Sequence, residues 1–143
     1  MKFELLEDLR KDHSINQTEI AELLKIKQPT YSSWENGSKI IPLKHLNTLA
    51  NYYNVSLDYI TNLSKENIKT KKIKELDKNI IGKNLKKFRN EYKITQEELA
   101  KVLNTTHSTI SAYEKGKTLI LTAFAYQICN KYNVSLDWLC GRK

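Results

Sequence analysis

Two stretches decide the fold: QTEIAELLKIKQPTYSSWENG at residues 17–37 and QEELAKVLNTTHSTISAYEKG at residues 96–116. Set against each other at an offset of 79, they pair Gln17 with Gln96, Glu19 with Glu98, Ala21 with Ala100 and Leu24 with Leu103. The same register pairs Thr30 with Thr109, Ser32 with Ser111, Glu35 with Glu114 and Gly37 with Gly116. Without a gap it runs upstream through Leu6/Leu85, Arg10/Arg89 and Ile15/Ile94. Downstream it passes Ile41/Ile120, Asn51/Asn130 and Tyr53/Tyr132, and closes on NVSLD at 54–58 and 133–137. Chance supplies a few such matches, not this set in one register. The chain is a duplication, and such self-similarity fixes the domain plan before anything else is read. The expected plan is a first copy at 1–63, a lysine-rich joining segment at 64–79 and a second copy at 80–143.

Each copy reads as five short helices. Phe3, Leu6 and Leu9 mark one face of a first helix, and Asn16 is the expected N-cap of a second over 17–24. Lys25, Ile26 and Lys27 interrupt it before a third helix at about 28–36, which Gly37 ends by taking the left-handed conformation. Pro42 opens a fourth, with Leu43, Leu46, Leu49, Ala50 and Tyr53 at helical spacing, and Ser56 caps a fifth. The second copy repeats the pattern with Ile81, Leu85 and Phe88, then 96–103, 107–115, 122–132 and 135–140. In the joining segment Ile68, Ile73, Leu76 and Ile80 fall at roughly helical intervals. A partly helical linker and a flexible tether are both compatible with that spacing.

Composition agrees with an all-α fold. Of 143 residues only 4 are Gly and 2 are Pro, too few for a many-turned β protein. The longest apolar run, 119–125, is interrupted by Thr122 and is far short of the roughly 20 residues that span a bilayer. No basic-then-apolar leader opens the chain, so a cytoplasmic protein without membrane partners is expected. Cys129 and Cys140 have no CxxC spacing; Cys129 reads as a small buried hydrophobe and Cys140, at the end of the last helix, as partly exposed. His13, His45 and His107 fall on different elements, so no metal site, cofactor or catalytic constellation is expected. Net charge is +8, a prior for nucleic acid or anionic surfaces. It is unevenly spread, −1 over residues 1–63 (7 basic, 8 acidic), +3 over 64–79 (6 and 3) and +6 over 80–143 (11 and 5).

The stretches at 17–37 and 96–116 resemble the helix-turn-helix of the phage-repressor (Cro/cI) and xenobiotic-response-element family, and the likeness extends over both copies to the closing NVSLD helix. The resemblance implies two repressor-like five-helix domains that bind double-stranded DNA. Its physical requirements are met. A steep helix pair needs a small residue at the crossing, Ala21 and Ala100. Apolar residues must flank the bend, here Ile20, Leu24, Ile26 and Tyr31, and Leu99, Leu103 and Ile110. The second helix of each pair then points its first turn toward base edges in a major groove about 12 Å wide.

By family position Gln28, Pro29 and Ser33 face bases in the first copy, and His107, Ser108 and Ala112 in the second. Gln28 can bind adenine bidentately, His107 can donate to guanine or to a phosphate, and Pro29 offers apolar contact alone. The two half-sites are therefore expected to differ. Gln17 and Gln96, each opening the preceding helix, are the implied grips on the DNA backbone. Thr30, Asn36, Lys39, Thr109, Lys115 and Lys117 are further candidate phosphate contacts, against the plainer reading of solvated surface.

Among 24 basic residues only three are Arg, and two of these, Arg10 and Arg89, occupy equivalent places. Each copy also carries a Glu at the end of its reading helix, Glu35 and Glu114. A planar fork gripping a carboxylate is a task lysine does poorly, so pairs Arg10–Glu35 and Arg89–Glu114 are expected to pin helix 1 to helix 3. The competing role is phosphate contact.

Proteins of this family usually read DNA as two-fold dimers, and here one chain holds both halves. The expectation is a monomer acting as an internal dimer, the copies packed as an intramolecular pseudo-dimer. Independent beads on a lysine-rich string are the alternative. The leading function is a transcriptional regulator. The runner-up is an accessory DNA-binding protein of a plasmid, phage or other mobile element, acting at an origin of transfer or in excision beside other proteins of a transfer complex. The lysine-, isoleucine- and asparagine-rich composition suits that source, and small tandem proteins of this build resemble products of conjugation operons. A third reading, from the lean charge of the first copy, is a protein-interaction module.

Overall fold

A computed structural model describes residues 1–143. Ten α-helices and no strands make up the chain, which divides into two compact units, Met1–Glu75 and Leu76–Lys143. In the first, α1 spans Leu5–Asp12, α2 Gln17–Leu23, α3 Gln28–Glu35, α4 Leu43–Tyr53 and α5 Leu57–Ile60. In the second, α6 spans Lys78–Glu91, α7 Gln96–Val102, α8 His107–Glu114, α9 Thr122–Tyr132 and α10 Leu136–Leu139.

The helices start where side chains satisfy their first N–H groups. Asn16 Oδ1 accepts from the Glu19 N–H while the Glu19 carboxylate accepts from the Asn16 N–H, a reciprocal capping box. Thr95 and Glu98 repeat it ahead of α7. Ser56 and Ser135 cap α5 and α10 through the Tyr59 and Trp138 N–H groups. The third helix of each unit begins differently. Thr106 caps α8, whereas α3 follows an uncapped Lys27 and carries Pro29 in its first turn, where the missing N–H costs nothing.

The duplication extends to the backbone. All ten positive-φ residues fall into repeat-equivalent pairs: Ser14/Lys93, Lys25/Asn104, Gly37/Gly116, Asn54/Asn133 and Asn62/Gly141. Gly37 and Gly116 follow α3 and α8 at φ +83° and +71°, conformations that cost a side-chain-bearing residue energy. Asn54 and Asn133 end α4 and α9 in the same way. The buried residues of the first unit include Leu6, Ile20, Tyr31, Leu46, Leu49 and Ile60; those of the second include Leu85, Phe88, Leu99, Ile110, Ala125 and Ile128.

Three features depart from the sequence expectations. Of the joining segment, whose spacing left a partly helical linker and a flexible tether both open, residues 64–76 form an irregular strap and only Lys78 and Asn79 are helical. Ile68 is 55% exposed, leaving no apolar face to drive a helix, and Lys65 and Lys69 would repel one turn apart. Second, α6 begins at Lys78, within the predicted linker, and has 14 residues where α1 has 8. Third, Cys140 is 1% exposed, not partly exposed. The same C-terminal stretch carries a buried ion pair that the sequence did not suggest, Arg142 Nε to Asp137 Oδ1 at 3.1 Å.

Candidate nucleic-acid interface

Each unit packs its helix-turn-helix around a charged network built from three helices. In the first, Arg10 on α1 grips Glu35 at the end of α3 with two donors, Nε to Oε2 at 2.7 Å and Nη2 to Oε1 at 3.0 Å. Its third donor, Nη1, reaches the Ile15 carbonyl at 2.9 Å and so fixes the turn leading into α2. Glu35 Oε1 also accepts from Gln17 Nε2 at 3.1 Å. The second unit matches this atom for atom: Arg89 Nε to Glu114 Oε2 at 2.7 Å, Nη2 to Oε1 at 3.0 Å, Nη1 to the Ile94 carbonyl at 3.1 Å, and Gln96 Nε2 to Glu114 Oε1 at 3.1 Å. Both carboxylates are almost fully covered, at 4% and 3% side-chain exposure.

Burial alone pushes the Glu35 carboxyl upward, but hydrogen bonds led by that from Arg10 outweigh it and hold the group below its ordinary value. The buried Tyr31 hydroxyl beside it makes no hydrogen bond of good geometry. Its proton is held firmly, chiefly by burial and secondarily by the carboxylate.

The units differ at the reading end. In the first, Gln28 Nε2 donates to Gln17 Oε1 at 2.8 Å, so an unbroken chain of side chains runs from Arg10 through Glu35 and Gln17 to the first residue of α3. In the second that chain stops at Gln96. His107, standing where Gln28 does, is exposed, with Nε2 3.9 Å from Glu97 Oε1.

The other predicted contact residues divide into two sets. Pro29, Thr30, Lys39, Ser108, Lys115 and Lys117 are exposed at the start of a reading helix or just past its end. The backbones there are anchored, the Lys39 N–H on the Ser33 carbonyl and the Lys117 N–H on that of Ala112. The polar atoms of Ser33, Asn36 and Thr109 engage locally: Ser33 Oγ donates to the Thr30 carbonyl at 2.6 Å, Asn36 Oδ1 accepts from the Ser38 N–H at 2.8 Å, and Thr109 Oγ1 lies 2.9 Å from Thr106 Oγ1. Ala112 is half-buried. Sequence reasoning put Gln17 and Gln96 on the DNA backbone and missed that each donates inward to the carboxylate. The signal was present in the repeat, since Gln, Arg and Glu recur together in both copies.

The profile of the helix-turn-helix family HTH_3, the Cro/cI type, matches the chain twice, over residues 6–60 and 85–139. The chain belongs to this family. The chain is similar to "Antitoxin PezA" of Streptococcus pneumoniae, 38% identical over 62 residues, covering 43% of this chain and 39% of that protein. It is also similar to "Uncharacterized HTH-type transcriptional regulator YobD" of Bacillus subtilis, 36% identical over 83 residues, covering 58% of this chain and 66% of the relative. The matched region spans less than two thirds of either relative's length. No helix is long and apolar enough to cross a membrane.

Proposed function

We propose that the chain is a sequence-specific double-stranded-DNA-binding transcriptional regulator, not an enzyme, in which α3 and α8 each read one half-site. The observation that carries this reading is the duplicated Arg–Glu–Gln network. It ties the end of each reading helix to the first helix of its unit and to the start of the second. A reader held in this way enters the groove with little conformational entropy left to lose.

Gln28 is the sharpest reader. An amide has two N–H groups and a carbonyl; with one N–H donated to Gln17, a donor and an acceptor remain, the pair that adenine's N7 and N6 require. Pro29 and Ser33 complete the first reader, and His107, Ser108 and Ala112 form the second. The readers share no base-facing residue type at their first two positions, so the two half-sites differ and the operator is an imperfect palindrome. Thr30, Asn36, Lys39, Thr109, Lys115 and Lys117 are proposed to meet phosphates, as are Gln17 and Gln96 through the amide N–H left over once the other is given to Glu35 or Glu114. One chain supplies both readers, so a monomer suffices as the binding species.

Selection of bound sequences from a random duplex pool tests this. Two unlike half-sites are expected, with Gln28→Ala costing about 1–3 kcal/mol at one position only and Lys117→Ala weakening all sequences alike. Affinity is expected to fall steeply with salt, with a log–log slope near 0.9 per phosphate neutralised. A flat salt response would sink the proposal and favour a protein partner instead. A footprint over a promoter marks a regulator; one beside a nick site marks an accessory factor of DNA transfer.

A further inference from the structure

The lysine-rich strap is not a loose tether. Ser64 donates its N–H to the Asp58 carbonyl at 3.0 Å, and Ser64 Oγ closes a tight turn with Glu66. Asn67 then makes both bonds of its amide to the turn between α4 and α5: Oδ1 accepts from the Ser56 N–H at 2.9 Å, and Nδ2 donates to the Asn54 carbonyl at 3.2 Å. Six residues on, the Ile73 carbonyl accepts from two side-chain amides one turn apart on α4, Asn47 Nδ2 at 3.0 Å and Asn51 Nδ2 at 2.7 Å. The strap is thus pinned to the first unit at both ends of its run of lysines, and that unit extends to Glu75. The second unit starts at Leu76, with Asp77 already capping α6.

We infer that these pins make half-site spacing a specificity determinant, because they shorten the free covalent path between the two readers to residues 74–76. The inference rests on the two-half-site reading above. Were residues 64–77 a free tether, they would reach at most about 45 Å; from Ile73 to Asp77 the reach is at most about 14 Å. Each base pair inserted between half-sites displaces the second by about 3.4 Å and turns it by about 34°. A long tether follows several such steps with a gradual loss of effective concentration, whereas a short one is exhausted after one or two. Asn67, Asn47 and Asn51 are accordingly positioning residues that act on DNA selectivity without touching DNA.

The test uses the full chain, the selected duplex, and versions of it lengthened between half-sites by one, two and five base pairs, beside a duplex with a single half-site. The parent chain is expected to lose about tenfold or more at two added base pairs, whereas Asn67→Ala combined with Asn51→Ala loses about threefold or less and binds the original spacing more weakly. A chain with four flexible residues inserted between Lys74 and Glu75, its pins intact, is expected to show the same relaxed profile. Single-half-site affinity is expected to be unchanged in all three, which guards against misfolding. Trypsin cleavage at Lys69, Lys71 and Lys72 is expected to be slow in the parent and fast in the double variant, an arm that needs no DNA. Cleavage equally fast in both would overturn the pinning. A released strap with the parent's spacing profile would overturn its consequence. Loss of all duplex binding by the parent chain, with the strap still protected, would instead refute the DNA reading.

Discussion

Arg10 and Glu35, 25 residues apart in sequence, meet as a two-pronged pair, Nε to Oε2 at 2.7 Å and Nη2 to Oε1 at 3.0 Å, and Arg89 and Glu114 reproduce both distances. Truncating one partner leaves the other charge buried. Glu35→Ala is therefore expected to destabilise the first unit by about 3–5 kcal/mol, while Arg10→Met combined with Glu35→Leu recovers most of that loss because a buried pair adds little net free energy over packed apolar groups. The double variant is nevertheless expected to bind DNA less well, its reader being less firmly aimed. Urea titrations and a binding isotherm check both halves. Equal losses in the single and double variants would show that the pair itself stabilises the fold.

Acid is expected to act on the first unit in two steps. His45 is half-buried with its ring 5.3 Å from that of Trp34; burial, and then Lys44, hold its pKa below the ordinary 6.5. The unfolded chain thus takes up this proton first, so stability drops as pH falls below about 6.5 and levels off once the folded group is protonated too. Glu35, depressed in the fold, contributes stability that is intact above its ordinary 4.5 and lost as pH falls through the lower folded value. Phe124 stands at the place of His45 in the second copy. His45→Phe is therefore expected to abolish the first step and leave the second, as read from urea midpoints across that range. Persistence of the first step would assign it to another group.

The Tyr31 hydroxyl, buried without a well-formed hydrogen bond, has no counterpart in the second copy, where Ile110 stands and the Arg–Glu pair forms at the same distances. Removing an unsatisfied buried hydroxyl removes its desolvation penalty. Tyr31→Phe is expected to leave the melting temperature unchanged or slightly raised. A loss of more than about 1.5 kcal/mol would mean the hydroxyl does bond Glu35.

Gly82 lets α6 lie across the end of α8. A Cβ there would stand 2.5 Å from the Tyr113 carbonyl oxygen and 2.7 Å from that of Glu114, both backbone atoms that cannot swing aside. Gly82→Ala is expected to cost about 1–3 kcal/mol through overpacking, offset by about 1 kcal/mol of better helix propensity. It should weaken binding to the second half-site while sparing the first. An unchanged second half-site would mean α6 yields and α8 does not.

Lys25 turns the chain between α2 and α3 at φ +58°, a conformation its repeat partner Asn104 tolerates better at +55°. Lys25→Gly is expected to stabilise the first unit by up to about 1 kcal/mol, since the left-handed strain relieved exceeds the entropy glycine adds to the unfolded chain. Calorimetry reads the sign; a fall in melting temperature would show that the lysine side chain earns its place by other contacts.

Much of the fold was legible because duplication doubles every signal. Asn16 was read only as an N-cap, although Thr95-x-x-Glu98 at the same offset repeats its Asn16-x-x-Glu19 spacing, the signal of the capping box that the structure shows. Gly37 and Gly116 announced their left-handed turns, whereas Ser14, Lys25 and Lys93 adopt the same backbone without a residue that favours it, so nothing in their identity revealed them. The rarity of arginine pointed to Arg10 and Arg89, but gave no warning of Arg142, whose repeat partner is Leu63.

What the residues determined by themselves is local and periodic: the helices, their caps, the duplication, and the choice of Arg and Glu where a fork must meet a carboxylate. These follow from spacing and side-chain chemistry within a few residues. Tertiary structure alone decided where side-chain amides spend their hydrogen bonds. Gln17 turns inward because Glu35 Oε1 needs a second donor once Arg10 has taken its share, and the strap is held to α4 because the Ile73 carbonyl finds two asparagines there. A polar group has many partners open to it in sequence, and only the folded chain's geometry, which punishes each buried one left unpaired, selects among them.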